Sequence, residues 1–470
     1  MNQSTQGNFQ KIFMIGGFVV GVIGIFVFSI SQFGKSNVDP NLTGNIVVWG
    51  TLPAEKMSNI FYEYSQNAKT YSVSYVEVPE DKFINRFIEA SANEQGPDVL
   101  FVPENIIVPL KGFMYNFGEN LISENTFKNL YIRSTYKLFA PTGVFAFPVA
   151  IDPLVMYVNT DILINAGFSR PPATWGDIPL YVSRVIGFTT TDGNNVQRAI
   201  ALGSLNNILH NREILLTLLM QLKNDVITRN FEEKQDKDKV SYVESFVSVF
   251  GLSNEDEKIK NDALAEQVFT FFTSFVNPNI KDAYTWSKKA PMDRDLFSGG
   301  DLGLFLGLAS DKVYIDTKNP HLNYEVALVP SPKGPTSSFR NTSYVKIYSV
   351  SMSIRTKKAQ LAQKVLEDIS SKEMADKIVD SYGLAPARQE SLYKYIQDAQ
   401  QQIVGKTVDQ ARPFKNIVYA SADRGDIIME PLPNLVNNIF GQIVDAISGS
   451  RQTPSEIIKN ADGELQRQLK

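Results

Sequence analysis

FPVAIDPLVMYVNTDILINAGFSRPPATW occupies Phe147–Trp175. It opens as an apolar, strand-like run over Phe147–Tyr157, passes into a short helix and ends in a Pro-Pro turn before Trp175. Pro148 and Pro153 lack the amide N–H that a β ladder uses, so the run reads as a connection between two bodies rather than a central strand. Asn159, Thr160 and Asp161 supply polar caps for a helix over Ile162–Ala166, and Gly167 ends it. Pro171 and Pro172 set an extended turn, Thr174 can cap the next helix, and Trp175 reads as a packing residue.

Working outward, the preceding chain alternates strand and helix patterns. Asn45–Gly50 (NIVVWG) is a compact strand, Asn59–Gln66 a helix, and Tyr71–Val78 an alternating strand. Asp81–Ala92 places Phe83, Ile84, Phe87 and Ile88 at helical spacing, and Gly96–Pro103 (GPDVLFVP) reads as turn, buried strand and stop. This order predicts an α/β fold with a mostly parallel, helix-covered sheet. Ligands in such sheets bind at the carboxyl ends of strands, so Trp49–Pro53 and Pro103–Ile106 are the first expected site walls. Downstream, Glu213–Leu222 and Asp262–Val276 read as helices, the latter with Phe269, Phe271, Phe272 and Phe275 in the core. Phe231–Val240 (FEEKQDKDKV) reads as a solvated turn or helix face. Strands at Tyr324 and Val345 and helices at Lys357–Ile369, Leu432–Ile447 and Pro454–Leu469 complete the pattern.

The 470 residues are 43% hydrophobic and 20% charged with net charge −4, which suits a multi-domain globular chain and excludes a basic field for nucleic acid. No cysteine is present, so disulfides and thiol chemistry are excluded. The two histidines, His210 and His321, lie in no metal-binding or triad spacing and read as surface or loop residues. No cofactor or metal is expected.

Ile12–Ile30 is uncharged and apolar or small almost throughout, about 28 Å as a helix, which matches a hydrocarbon core. It reads as a single-pass anchor over 12–31, preceded by a tail over 1–11 and followed by a polar linker over 32–44. Ser29-Ile30-Ser31 leaves signal-peptide cleavage as the alternative. The bulk of the chain is expected outside the cytoplasm, held at the cell membrane.

From Asn45 to the carboxyl end the chain resembles the extracellular solute-binding proteins of ABC importers, in the sugar-binding branch typified by maltose-binding protein. The resemblance is carried by GPDVLFVP, by the Phe147–Ile178 signature, by FSGGDLGLFLG (Phe297–Gly307) and by VALVPSPKGP (Val326–Pro335). SSKEMADKIVDSYGLAPARQE (Ser370–Glu390) and the final ISGSRQTPSEIIKNADGELQRQL carry the rest, all in the family's order. It implies a periplasmic-binding-protein type II fold: two α/β lobes joined by a multi-segment hinge near Ala150, Tyr344 and Leu384–Arg388. Lobe one would hold 45–150 and 346–384, and lobe two 151–344 and 388–470.

By the same resemblance, the ligand contacts fall at Thr51 and Leu52, Glu104 and Asn105, Asp152, Ser204 and Asn206, Trp286 and Tyr344. Planar hydrogen-bonding groups suit sugar hydroxyls, and rings suit sugar C–H faces. Three have a plainer reading: Asp152 as a capping or hinge-stabilising carboxylate, Glu104 as a solvated loop charge and Tyr344 as hinge packing; Trp286 is expected as a stacking platform. Two departures weaken a maltodextrin ligand. The stretch Leu306–Asp311 lacks the family's Trp, and Val436 stands where the penultimate helix carries a ring. Another sugar, an oligosaccharide stacked differently or a non-sugar solute remains open.

The implied function is capture of a small solute, a sugar or oligosaccharide, for delivery to ABC permease subunits. The same fold used as a ligand-sensing receptor without transport is the alternative. Hydrolysis by a carboxylate pair such as Glu104 and Asp152 is the third reading. It is set aside because paired acids occur in any acidic chain, so no enzyme activity is expected.

Overall fold

A computed structural model describes residues 42–118, 121–186, 197–236, 239–250, 261–332, 339–403, 414–449 and 451–470. The expected tail and anchor, and the linker up to residue 41, lie outside the described residues. Among the described residues no helix is long and apolar enough to cross a membrane. Asn45–Lys470 forms one compact unit.

The strands are β1 (Gly44–Gly50), β2 (Tyr71–Glu77), β3 (Val99–Pro103), β4 (Phe139–Ala140), β5 (Gly143–Val144), β6 (Phe147–Asn159), β7 (Arg198–Ile200), β8 (Ile227–Asp236), β9 (Lys239–Ser248), β10 (Leu302–Leu308), β11 (Tyr324–Ala327), β12 (Val345–Met352) and β13 (Ala385–Pro386). The main sheet runs β2-β1-β3-β12-β6-β10-β7, with β11 and β13 also paired to β6. The β1–β3 and β10–β7 pairs are parallel, as the strand-helix alternation predicts. Every partner of β6 is antiparallel, and so is β12 to β3, so the sheet is mixed rather than mostly parallel.

β6 therefore differs from its expected role as a connection only. It is a continuous strand, buried from Pro148 to its end, and central to the sheet. Its first part, Phe147–Pro153, lies between β12 and β13; its second, Leu154–Asn159, lies between β10 and β11. The two prolines fit because their missing donors fall at irregularities. Pro148 sits beside the register shift at Tyr348/Ser349, and Pro153 sits at the change of partners. There the Pro153 carbonyl accepts from Ala309 N at 3.0 Å, and Leu154 N donates to the Tyr344 carbonyl at 3.0 Å.

The core divides at the same point. One cluster gathers Trp49, Phe83, Phe87, Leu100, Ile151 and Ile347, and later chain enters it through Leu392, Val418 and Ile427. The other begins at Leu154 and gathers Tyr157, Trp175, Phe269, Phe305, Phe440 and Leu465. Each buried side chain of this size contributes about 1.5–3 kcal/mol. Close packing explains Gly50: a Cβ there would meet the Phe101 carbonyl at 2.6 Å and the Tyr75 hydroxyl at 2.4 Å.

The local design around Asn159 and Trp175 is as expected. The Asn159 side chain caps the helix Thr160–Asn165 through the amides of Asp161 and Ile162. Thr174 and Asp177 form a capping box at Trp175, whose indole donates to Gln221 Oε1 at 2.7 Å inside the second core. Phe269, Phe272 and Phe275 are buried there too.

Phe231–Asp236 and Lys239–Val240 are strand rather than helix or turn. They lie within a hairpin of β8 and β9, from Ile227 opposite Ser248 to Asp236 opposite Lys239. Glu232–Gln235 are exposed on both faces of the ribbon, so this charged stretch carries no apolar alternation and gave no strand signal. The base of the hairpin is fixed by Arg229 Nε to Glu244 at 2.6 Å, by Lys111 to Glu244, and by Phe246, which packs against both clusters.

Candidate functional site

The change of partners on β6 is lined by charge. At the end of β3, Pro103 begins the helix Glu104–Leu110, and Glu104 points inward with 1% exposure. One of its oxygens accepts from the Tyr344 hydroxyl and the other from Ile347 N at 2.7 Å. Burial pushes its carboxyl up, against these two donors. Burial also drives the Tyr344 phenol well above its ordinary value, so the hydroxyl stays protonated and donates. Glu104 is thus no solvated loop charge.

Beside it, Asn105 Nδ2 donates to Glu80 Oε1 at 2.7 Å, and Lys346 Nζ donates to the same carboxylate at 3.0 and 3.2 Å. Arg212, near the start of the helix Asn211–Gln221, donates to the Tyr344 hydroxyl at 3.3 Å and to Glu430 Oε2 at 2.7 Å. Its guanidinium lies 5.5 Å from the centre of the Tyr344 ring. The other Glu430 oxygen accepts from Val436 N at 2.8 Å. A buried ion pair therefore stands at Val436, where the resemblance implied a ring.

Asp152 is 0% exposed and lies opposite Lys346 in the β6–β12 register. Its Oδ1 accepts from Ser310 N at 3.0 Å, while Oδ2 is buried with no hydrogen-bond partner among the described residues. Burial pushes its carboxyl up to about 6. The adjoining Asp311 accepts from His210 Nε2 at 2.7 Å, Arg294 at 2.9 Å and Leu308 N at 2.9 Å. Burial opposes its charge, but His210 and Arg294 hold the carboxyl below its ordinary value. Asp311 in turn raises His210 against the opposing effect of burial. His210 is therefore a part-buried ion-pair partner, correcting its reading as a bland surface residue. His321 is exposed, as expected.

The remaining expected residues are placed as follows. Thr51 is half-buried, with its Oγ1 buried and unpartnered among the described residues. Leu52 is buried, and its carbonyl accepts from the Tyr75 hydroxyl at 2.8 Å. Ser204 is buried and its Oγ accepts from Asn206 N at 3.4 Å, while Asn206 is exposed. Trp286 is 1% exposed inside the second core, and its indole donates to Asn207 Oδ1 at 3.0 Å. Its ring faces are covered, so the expected stacking platform is a core residue in this conformation. Asn207 ties that region together by donating to the carbonyls of Ser287 and Ala290 at 2.9 and 2.8 Å.

Glu104, Asn105, Asp152 and Tyr344 thus come together. Glu80, Arg212, Lys346, Glu430 and Asp311 join them and were missed in the sequence, as was the buried Asp293, which accepts from Leu209 N at 3.0 Å next to His210. Lys346 within YVKIYSV and Arg212 before a leucine-rich helix carried a usable signal: an isolated cation beside an apolar run needs a buried partner. Among the described residues no group of three or more His, Asp or Glu side chains is placed to hold a metal ion.

No family model and no curated protein matches the sequence. Solved structures do match over nearly the whole chain. The cyclic α-maltosyl-1,6-maltose binding protein of Arthrobacter globiformis aligns with a TM-score of 0.66 at 13% identity, over 90% of this chain and 98% of that one. The GacH receptor of Streptomyces glaucescens, solved unliganded and with acarbose, aligns with a TM-score of 0.64 at 13% identity, over 91% and 100%. An ABC transporter solute-binding protein from Thermotoga lettingae bound to α-D-tagatose aligns with a TM-score of 0.62 at 17% identity, over 91% and 100%. The fold is that of the sugar and oligosaccharide solute-binding proteins of ABC transporters, as the resemblance to the maltose-binding-protein-like family implied.

Proposed function

We propose that this chain is the solute-capturing component of an ABC importer. Two lobes, one built around each of the two apolar cores, close on a small solute, a sugar or oligosaccharide, and present it to permease subunits. The protein works outside the cytoplasm, tethered through 12–31, and its role is binding rather than catalysis. Thr51, Glu104, Asn105, Asp152, Ser204, Asn206 and Tyr344 line or brace the ligand space.

One observation carries this reading. A single strand passes from one apolar core to the other, and hydrogen-bonding side chains with unmet capacity are buried where it crosses. A purely structural waist would be apolar, because buried polar groups without partners cost about 1–3 kcal/mol each. The fold shared with solute-binding proteins supports the same conclusion.

The test is a thermal-shift and calorimetric screen of the purified protein against mono- and oligosaccharides, with small-angle scattering of free and loaded protein. A bound solute at about 100 times its dissociation constant raises stability by about 2.7 kcal/mol. Compaction on loading is expected. A flat melting temperature and unchanged scattering across the panel would overturn the proposal.

A further inference from the structure

Resting on that reading of the waist as the solute site, its unmet hydrogen bonds point to the chemistry of the guest. Among the described residues, four side-chain amide or carboxyl atoms on the segments that meet at or beside the waist are buried without a partner, besides the Thr51 hydroxyl: Asn105 Oδ1, Asp152 Oδ2, Asn211 Oδ1 and Asp293 Oδ2. All four are oxygens that accept. The amide orientations are set by their neighbours. Asn105 Nδ2 donates to the Glu80 carboxylate at 2.7 Å, and Asn211 Nδ2 donates to the carbonyls of Leu205 and Ile208 at 3.0 and 2.8 Å. In each case the oxygen is the atom left over.

These atoms belong to one connected set. Asn105 leads to Glu80 and Lys346, and Lys346 lies opposite Asp152. Asp152 binds the Ser310 amide, and the next residue, Asp311, binds His210, the neighbour of Asn211. Leu209 N donates to Asp293 Oδ1 at 3.0 Å.

The donors around this set are already engaged. Lys346 pairs with Glu80, Arg212 with Glu430, and both His210 and Arg294 with Asp311. By contrast, no cation lies within ion-pair distance of Glu104, Asp152 or Asp293 among the described residues. Ring stacking has little to work with, since Trp286 and Tyr344 are both buried. A neutral hydroxyl brings an acceptor as well as a donor, and its acceptor would face oxygens. An ammonium group brings only donors, and a cation in direct contact, which these carboxylates do not have.

We propose that the solute carries an alkylammonium group, which donates to Asp152 Oδ2 and the neighbouring acceptor oxygens. An amino sugar and a linear polyamine share this chemistry.

The experiment is isothermal titration of the full chain with the β-1,4-linked dimer of glucosamine, with spermidine, and with cellobiose and maltotetraose as neutral counterparts. An amine probe is expected to bind at least about tenfold more tightly than the neutral sugars, because a site built for a donor rejects the analogue that lacks it. Whichever amine binds identifies the source. Asp152→Asn and Asp293→Asn should each weaken amine binding, the former by about tenfold or more. Unliganded melting temperatures show that the variants fold. Neutral sugar binding as tight as amine binding would overturn this inference and leave solute capture standing. Amine binding indifferent to both substitutions would also overturn it. Silence from both amines would overturn this inference, and the broader saccharide panel then decides solute capture by itself.

Discussion

The two halves of β6 lie in apolar cores, and the crossing between them has the opposite chemistry. Leu154–Val158 enters an apolar core, where the Tyr157 ring packs against Phe297, Phe305 and Tyr324. At the crossing, Asp152 faces a zone of buried carboxylates, cations and a phenol. A strand needs only its ladder to persist through both. The contrast teaches that the first setting holds the fold together, while the second keeps polar groups out of water at a cost that stability alone does not explain.

Substitutions on either side of Pro153 should separate these roles. Tyr157→Ala empties a packed space and removes a hydroxyl that donates to the carbonyls of Leu308 and Ala309 at 2.8 and 3.0 Å. It should cost about 3–5 kcal/mol in urea denaturation. On the polar side, Arg212→Met leaves Glu430 buried with only the Val436 amide, and a similar loss of about 3–5 kcal/mol is expected. A double-mutant cycle with Glu430→Gln should recover much of it. A cycle that shows no coupling would mean the pair is not formed.

Asp152→Asn should behave in the opposite sense. Burial raises the carboxyl from 3.8 to about 6, so its ionised form destabilises the unliganded fold at neutral pH. The neutral isostere should gain up to about 3 kcal/mol by urea denaturation at pH 7. The pH dependence sharpens this. Asp293 is raised to about 6 by burial as well. Between about pH 4 and 6 the folded chain holds protons that the unfolded chain has released, so these two groups lower stability as pH rises through that window. The difference between parent and the Asp152→Asn, Asp293→Asn double variant should therefore grow from about pH 4 to 6 and then level off. A difference that shrinks with rising pH would reverse the assignment.

A smaller effect is expected at Trp175→Phe, which keeps the ring in its core but leaves Gln221 Oε1 without its donor. A cost of about 1–3 kcal/mol is expected, read as a lower melting temperature.

Much of the fold was legible. The helix over Glu80–Ala92 follows from its apolar spacing, and the Asn159 cap and the Thr174 box follow from side chains two or three residues from their targets. The charged part of the β8–β9 ribbon was not legible, because Glu232–Gln235 are exposed on both faces and offer no apolar alternation to read. The role of β6 was half legible: its prolines marked a break, but they break the partnership rather than the strand. At the candidate site, Glu104, Asn105, Asp152 and Tyr344 were named by resemblance, while Glu80, Lys346 and Arg212, which bond with or lie opposite them, and Glu430, which pairs with Arg212, were not.

Local order in this chain was written in the sequence, since caps, turns and helical stripes act over a few residues and need no knowledge of the rest. The pairing of charges depended on folding. Glu104 meets Tyr344 across 240 positions, Lys346 meets Glu80 across 266 and Arg212 meets Glu430 across 218. Nothing in the neighbouring residues selects those partners. Strand register and helix packing bring them within reach, and the energy of leaving a buried charge alone then holds them there.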